Sequence, residues 1–229
     1  LQFANLPYFI QPAWSPDGKS IVVTGTHRGQ TDLYLIDLKT KKATRLTENS
    51  ASEIHPEWSP DGKILAFSTD APAWQQGQGS GYWPFSLALL DPSDRSIRYP
   101  TQFDGANHFN PQYDASGNLL FLSDRNGAHT LYRLDSDSAQ LSQLTLSSGG
   151  IMGVSAYAPA FSAAGKRDRI VYTQFRQNSF GIHQISTEKL LSIPVGRDAV
   201  DRSAAYLPMD TEAPLLFPDT SSRLKAALP

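Results

Sequence analysis

Short apolar runs separated by polar turns extend along most of the chain. Examples are Ile21-Val22-Val23 and Ile64-Leu65-Ala66-Phe67, and similar runs follow near residues 119 and 170. Runs of this length, rich in branched and aromatic residues and bounded by Gly, Pro, Asn or Asp, are typical of β-strands. No run approaches the roughly eighteen apolar residues of a membrane helix. The pattern therefore predicts an all-β chain without such a span.

A motif of eight residues precedes these runs and recurs along the chain. The sequence PAWSPDGK at residues 12–19 returns as PEWSPDGK at 56–63, and weaker copies are PQYDASGN at 111–118 and PAFSAAGK at 159–166. Every copy keeps a Pro, an aromatic residue two positions later and a Gly six positions later. Self-similarity at an interval of roughly 45–55 residues is typical of repeat proteins.

Each motif begins a unit of four predicted strands. A polar turn and an aromatic-bearing strand follow the apolar run, and two units close with Leu-Thr pairs at 46–47 and 144–145. Four antiparallel strands in roughly 45 residues form the blade of a β-propeller. The sequence therefore predicts a β-propeller with about four recognisable four-stranded blades. The units start near Pro12, Pro56, Pro111 and Pro159.

The motif also predicts a tight turn between the first two strands of a blade. Pro restricts φ, Asp bonds to its own backbone and Gly adopts a positive φ, while the aromatic residue is expected to pack between neighbouring blades. Asp17, Asp61 and Asp114 are accordingly interpreted as turn residues rather than metal ligands. The structural positions of the two best-preserved copies are Trp14, Pro16, Asp17, Gly18, Trp58, Pro60, Asp61 and Gly62.

These residues resemble the WD40-like repeat (PD40) of TolB-type β-propellers, in which the same motif is followed by a Tyr-bearing strand and a Leu-Thr ending. The resemblance covers about residues 9–190, although the third and fourth copies have lost the Pro-Asp pair. It implies a ring of six or more blades, of which these units form a part. The alternative is that residues 1–8 and 191–229 supply irregular closing strands. The resemblance also implies an exported protein of the bacterial periplasm or cell envelope.

The repeat pattern divides the chain into two regions. Residues 1–193 are predicted to form the blades. Residues 194–229 hold five prolines without a clear period and are predicted to form a linker or the start of a following domain. An insertion at 71–84 lengthens the second unit, and such insertions often lie on the binding face of repeat proteins. Its aromatic residues Trp74, Tyr82 and Trp83 are candidates for recognition of a partner. The alternative is that they fold back over the edge of the blade.

Composition and missing motifs exclude several classes of chemistry. With 20 basic and 22 acidic residues and no strongly basic segment, the chain lacks the charge pattern of a nucleic-acid interface. The absence of Cys excludes disulfides, thiolate zinc sites and cysteine nucleophiles. Residues 153–157 lack the second Gly of a nucleophile elbow, and neither His-Glu-x-x-His nor a phosphate-binding glycine loop occurs. We therefore predict no catalytic residue, metal ion or cofactor within this segment.

Polar residues at the start of the blades are the best candidates for a binding site. Gln11, His55 and Asn110 each precede the Pro of a motif and are predicted to face the mouth of the central channel, with His108 and Tyr157 nearby in sequence. The alternative is that these side chains only hydrogen-bond the starts of the blades. His27, His129 and His183 are interpreted as solvated or strand residues.

Two functions from different classes remain open. The leading prediction is a non-catalytic propeller module that binds a protein or peptide in the bacterial cell envelope. The alternative is a propeller that admits substrates to a larger peptidase whose catalytic domain lies outside this segment. A hydrolase or lyase that uses the channel histidines is a weaker third hypothesis.

Overall fold

The computed structural model describes residues 8–27, 30–76, 83–145, 150–155, 157–165, 167–176 and 178–201. These residues form four antiparallel sheets arranged like the blades of a propeller, so the all-β prediction is confirmed. Among them, no helix is both long and apolar enough to cross a membrane.

Consecutive strands build each of the first three blades. Blade 1 contains β1 (Tyr8–Trp14), β2 (Ser20–His27), β3 (Gln30–Asp37) and β4 (Ala43–Arg45). Blade 2 contains β5 (Glu53–Trp58), β6 (Leu65–Thr69), β7 (Ser86–Leu90) and β8 (Ile97–Arg98), with the short helix α1 (Ala71–Gln75) after β6. Blade 3 contains β9 (His108–Tyr113), β10 (Leu119–Ser123), β11 (Thr130–Leu134) and β12 (Leu141–Gln143).

Blade 4 differs because only three of its strands are described. They are β13 (Phe161–Ala163), β14 (Ile170–Arg176) and β15 (Ser179–Ile185), and a 3-10 helix, Thr187–Lys189, follows. The chain then leaves blade 4, and β16 (Ile193–Pro194) pairs with β12 as a fifth strand of blade 3. The beginning of the predicted linker is thus a strand of blade 3 in the structure. Residues 202–229 lie outside the described residues.

The Ser-Pro-Asp-Gly-Lys turns show why this motif recurs. In blade 1, the Gly18 N–H donates to the Ser15 carbonyl at 2.9 Å, and Gly18 has φ +69°. The Asp17 carboxylate accepts hydrogen bonds from the Lys19 N–H at 3.0 Å and the Ser15 hydroxyl at 2.7 Å. These bonds, first that from Lys19, lower the pKa of Asp17. Blade 2 repeats the turn with Ser59, Asp61 and Gly62, whose φ is +72°.

The aromatic residue of the motif packs between blades only where a neighbouring blade is described on that side. Trp58 is 8% exposed and lies in a core shared with Val22 and Leu33 of blade 1. Tyr113 similarly packs between blades 2 and 3. Trp14 occupies the same position in blade 1 but is 62% exposed, because no described blade lies on its outer side. The expected packing therefore holds for Trp58 and not for Trp14.

The fourth motif is displaced by two residues in the structure. Strand pairing joins Trp14 to Ile21 and Trp58 to Leu65, but in blade 4 it joins Ala163 to Ile170. Ala163 is therefore the structural counterpart of the tryptophans, whereas the sequence motif places Phe161 there. Strand register is set by which residues point into the core, and the spacing that recurs within the motif does not determine it.

Candidate functional site

The long connections of the chain lie on one face of the propeller, here called the loop face. Strands within a blade are antiparallel, so the connections between blades and the turns after each second strand share one end. The insertion after β6 belongs to this face, and so do residues 150–155 and 157–160, which lie between blades 3 and 4 in the chain. The Ser-Pro-Asp-Gly-Lys turns lie on the opposite face.

The three residues that precede the motif prolines occupy irregularities in the first strand of their blades. Gln11, His55 and Asn110 have φ of 54°, 56° and 53°, which is rare for residues other than Gly. The register of pairing with the second strand shifts at each of these positions. Such a bulge redirects a side chain out of the regular alternation of a strand.

Their side chains connect each blade to the next. The His55 N–H donates to Gln11 Oε1 at 2.9 Å, and the Asn110 N–H donates to His55 Nδ1 at 3.2 Å. The Ala160 N–H then donates to Asn110 Oδ1 at 2.8 Å. The structure therefore brings the predicted residues together in the connecting geometry that the sequence left as the alternative. Their role in binding a ligand stays a prediction.

The carbonyl of Tyr157 lies against two of these side chains. Because His55 Nδ1 accepts a hydrogen bond from a backbone N–H, the proton of the neutral ring lies on Nε2, which donates to the Tyr157 carbonyl at 2.7 Å. Gln11 Nε2 donates to the same carbonyl at 3.5 Å. Burial lowers the pKa of His55, which favours the neutral ring.

His108 lies in the core rather than in the channel mouth predicted from the sequence. It is 1% exposed and stacks on Phe103. Its Nε2 accepts from the Phe103 N–H and its Nδ1 donates to the Phe85 carbonyl, both at 3.2 Å. Burial lowers the pKa of His108 to about 4. Both ring nitrogens therefore form hydrogen bonds with the backbone of the segments that precede β7 and β9.

Tyr157 belongs to an aromatic cluster on the loop face. Its ring lies 5.8 Å from both Phe85 and Phe109, and Phe109 also contacts the His129 ring at 5.4 Å between centroids. Tyr157 is 55% exposed, so one side of the cluster is open to solvent. Of the five residues predicted at the channel mouth, Tyr157 is the most accessible.

An apolar cavity of about 430 Å³ adjoins this cluster between blades 3 and 4. Phe109, Leu122 and Ile151 belong to the buried part of its lining. Its exposed lining includes four apolar side chains beside Ser155, namely Met152, Val154, Phe175 and Phe180. Sequence reasoning missed this cavity because its residues come from separate segments. The feature of the sequence that could have indicated the cavity is the pair Phe175 and Phe180, which are exposed and lie opposite each other at the β14–β15 turn.

The insertion carries an exposed aromatic pair. Trp74, at the end of α1, contacts Trp83 edge to face at 4.7 Å between ring centroids. The two side chains are 45% and 38% exposed, while Ala71 and Ala73 bury the other side of α1. Tyr82 lies outside the described residues. The structure thus brings together two of the three predicted loop residues, and their recognition role stays a prediction.

Buried carboxylates form a polar cluster between blades 1 and 2 that sequence reasoning missed. Glu53 is 1% exposed and accepts hydrogen bonds from Asn49 Nδ2 at 2.8 Å and Thr47 Oγ1 at 3.1 Å. Burial raises the pKa of Glu53 to about 7. Asp32 is fully buried and ion-paired with Arg45. The described part of the chain holds no cluster of three or more potential metal ligands.

The sheets and the connections between successive blades define a β-propeller. Residues 2–78 match the PD40 family, described as the TolB beta propeller domain. The chain is 43% identical over 47 residues to the Tol-Pal system protein TolB of Ruthia magnifica subsp. Calyptogena magnifica, a match that covers 19% of this chain and 11% of that protein. Residues 2–78, which contain the first two motifs, are therefore similar to the TolB propeller domain, as the sequence motif indicated.

Solved structures share the fold at low identity. TolB from Acinetobacter baumannii has a TM-score of 0.63 and 21% identity, over 82% of this chain and 43% of its own. A puromycin-hydrolyzing peptidase from Mycobacterium tuberculosis has a TM-score of 0.62 and 15% identity, over 90% of this chain and 31% of its own. This chain therefore spans less than half of either of these larger proteins.

Proposed function

We propose that the chain is a non-catalytic propeller module of the bacterial cell envelope that binds a protein or peptide through its loop face. The exposed apolar lining of the cavity between blades 3 and 4 is the observation that carries this proposal. Exposed apolar side chains gathered around a concave site are typical of interaction surfaces. The envelope location rests on the similarity to TolB.

The hydrogen bonds of the two predicted site histidines support a binding role without catalysis. Each ring uses one nitrogen to accept from a backbone N–H and the other to donate to a backbone carbonyl. A general base needs a nitrogen that can reach the proton of a substrate. His55 and His108 would have to break these bonds before acting in that way.

Charge placed in the exposed lining is expected to weaken binding without unfolding the protein. Peptides selected on the wild-type protein from a phage-displayed random library are expected to share a large apolar side chain. The variants Met152→Asp and Val154→Asp should bind them at least about tenfold more weakly, because a carboxylate would be desolvated on binding. Fluorescence anisotropy measures the affinity, and a thermal melt reports the fold.

Val171→Asp is the matched control for these variants. Val171 is 40% exposed on the same blade but does not line the cavity, so the variant should bind like the wild type. Equal weakening by all three substitutions would mean a general effect of charge. Unchanged binding by Met152→Asp and Val154→Asp would remove the cavity from the proposal.

A propeller that admits substrates to a larger peptidase is the second candidate. The fold similarity to the M. tuberculosis peptidase, over 90% of this chain, favours it. This candidate requires a Gly-x-Ser-x-Gly or His-Glu-x-x-His segment in the same natural polypeptide. Sequencing the natural coding region tests it, since a polypeptide without either motif would contradict this candidate.

A further inference from the structure

An aromatic pair fills the space between blades 2 and 3 near the loop face. Phe85, which directly precedes β7, lies 5.3 Å from Phe109 of β9 between ring centroids. Phe109 pairs with Leu122, and the same first-strand position in blade 2 holds Ile54, which pairs with Ser68. A large apolar side chain is therefore present at this position in both blades.

Blade 4 has only a methyl group at the corresponding position. Leu122 and Thr173 are each the fourth residue of the second strand of their blade, β10 and β14. The Thr173 N–H donates to the Ala160 carbonyl at 2.9 Å, so Ala160 takes the place that Phe109 has in blade 3. Ala160 lines the cavity of about 430 Å³ between blades 3 and 4. One large side chain is thus missing from this space.

The residue that faces this space from blade 3 is polar. His129 lies two residues before Leu131, as Phe85 lies two residues before Leu87, and both leucines pair with the fourth residue of the second strand. The His129 ring lines the cavity, and neither of its nitrogens forms a hydrogen bond within the described part of the chain. Burial lowers the pKa of His129 against the opposing charge of Asp124. The neutral ring that burial favours offers one N–H donor and one acceptor nitrogen.

The side-chain amide of Asn110 adds a free donor to the same cavity. Asn110 is 3% exposed, and its Oδ1 accepts from the N–H groups of Ala160 and Phe161 at 2.8 and 3.1 Å. Because these two bonds fix the orientation of the amide, its other terminal atom is the NH₂ group. Nδ2 has no hydrogen-bond partner among the described residues, although solvent reaches it. A ligand acceptor at this point would satisfy a buried donor.

We infer that this cavity binds a tyrosine side chain of the partner peptide, an inference that rests on the loop-face binding proposed above. The phenol ring occupies the space beside Ala160 and lies against His129, as Phe109 lies against Phe85. The phenol oxygen accepts from Asn110 Nδ2, and the phenol O–H donates to the acceptor nitrogen of His129. Blade 3 supplies both polar groups and has a described blade on either side, so a further blade beside blade 4 would leave them in place.

The polar groups select tyrosine over other side chains with an apolar body. A phenol both accepts and donates, whereas an indole only donates and a phenyl ring does neither. A carboxylate is disfavoured because the described lining contains no Lys or Arg, and because Asp124 carries the same charge. A site built to hydrogen-bond a hydroxyl discriminates strongly against the analogue that lacks it.

N-acetyl-tyrosinamide and N-acetyl-phenylalaninamide test this inference, since they differ only by the hydroxyl. In NMR titrations of the full chain, the tyrosine probe should shift the Asn110 side-chain NH₂ signals. It should also bind at least about tenfold more tightly than the phenylalanine probe.

Two variants and a control assign this preference to the cavity. Asn110→Asp keeps the oxygen that accepts from the backbone but replaces the NH₂ donor, and His129→Phe keeps a ring without its nitrogens. Each variant should bind the two probes equally. His183→Phe is the matched control, because His183 is exposed on blade 4 and does not line the cavity, so the preference should persist.

The outcomes separate this inference from the loop-face proposal. Equal binding of both probes to the wild type would overturn the tyrosine inference and leave an apolar site. Asn110 signals that neither probe shifts would also overturn it, while the peptides and the variants of Met152 and Val154 would still decide the loop-face proposal. A preference for the tyrosine probe that persists in either His129→Phe or Asn110→Asp would place the phenol elsewhere and overturn the inference.

Discussion

Replacing Trp58 with alanine is expected to lower the free energy of unfolding by about 3–5 kcal/mol. Trp58 is buried in the core that joins blade 2 to Val22, Leu33 and Leu46 of blade 1. Truncation would remove a large apolar contact and leave a cavity between two blades, which neighbouring strands held in register could fill only partly. Urea unfolding monitored by circular dichroism measures the loss.

Trp14→Ala is the matched control, because the two tryptophans occupy the same position of the same motif. Trp14 is 62% exposed, so its truncation should cost less than about 1 kcal/mol. Trp58→Phe should be milder than Trp58→Ala, since the buried Trp58 Nε1 has no hydrogen-bond partner to lose among the residues that the structure describes. Equal losses for Trp14→Ala and Trp58→Ala would show that Trp14 is also covered by a blade in solution.

Glu53→Gln is expected to stabilise the protein relative to the wild type increasingly as pH rises. Burial raises the pKa of Glu53 to about 7, against 4.5 for an ordinary Glu. The stability contributed by protonated Glu53 is therefore fully present below pH 4.5 and is lost as pH rises through 7. Gln mimics the protonated side chain at every pH. The difference between variant and wild type should grow by about 2–3 kcal/mol between pH 5 and pH 8.

Measuring the variant against the wild type isolates Glu53 from groups whose contribution to stability changes with pH in the opposite direction. One such group is His108, whose pKa is lowered to about 4. The stability that His108 contributes is lost as pH falls below its unfolded pKa, but His108 is present in both proteins. Glu188→Gln removes the same charge at an exposed position and should produce no comparable pH-dependent difference. A Glu53→Gln difference that stays constant from pH 5 to pH 8 would contradict a raised pKa of Glu53.

The fold could be predicted well from the sequence because its signals are local. The Pro-Asp-Gly turns depend on residues adjacent in the chain, and Gly18 and Gly62 have the positive φ that the motif predicts. The β-rich runs after the turns became strands β2, β6, β10 and β14. In blade 4, however, the motif and the strand register differ by two residues, since register responds to contacts with blade 3.

The candidate site was predicted only in part because its geometry depends on distant residues. Gln11, His55 and Asn110 could be selected by their shared position, but their bulges and their hydrogen bonds to the next blade required the assembled strands. The cavity on the loop face combines side chains of blades 3 and 4 with the connection between them. No local pattern identifies such a combination.

Local sequence patterns were enough to predict the repeating unit, its turns and its resemblance to TolB-type repeats, because turn chemistry and strand periodicity act between neighbouring residues. The environment of each copy, in contrast, depends on how the blades pack together. Trp14 and Trp58 share one motif, and Leu33 and Ile182 share one strand position, yet one member of each pair is buried and the other is exposed. Burial depends on which element packs against a residue, and that element is supplied by a distant part of the fold.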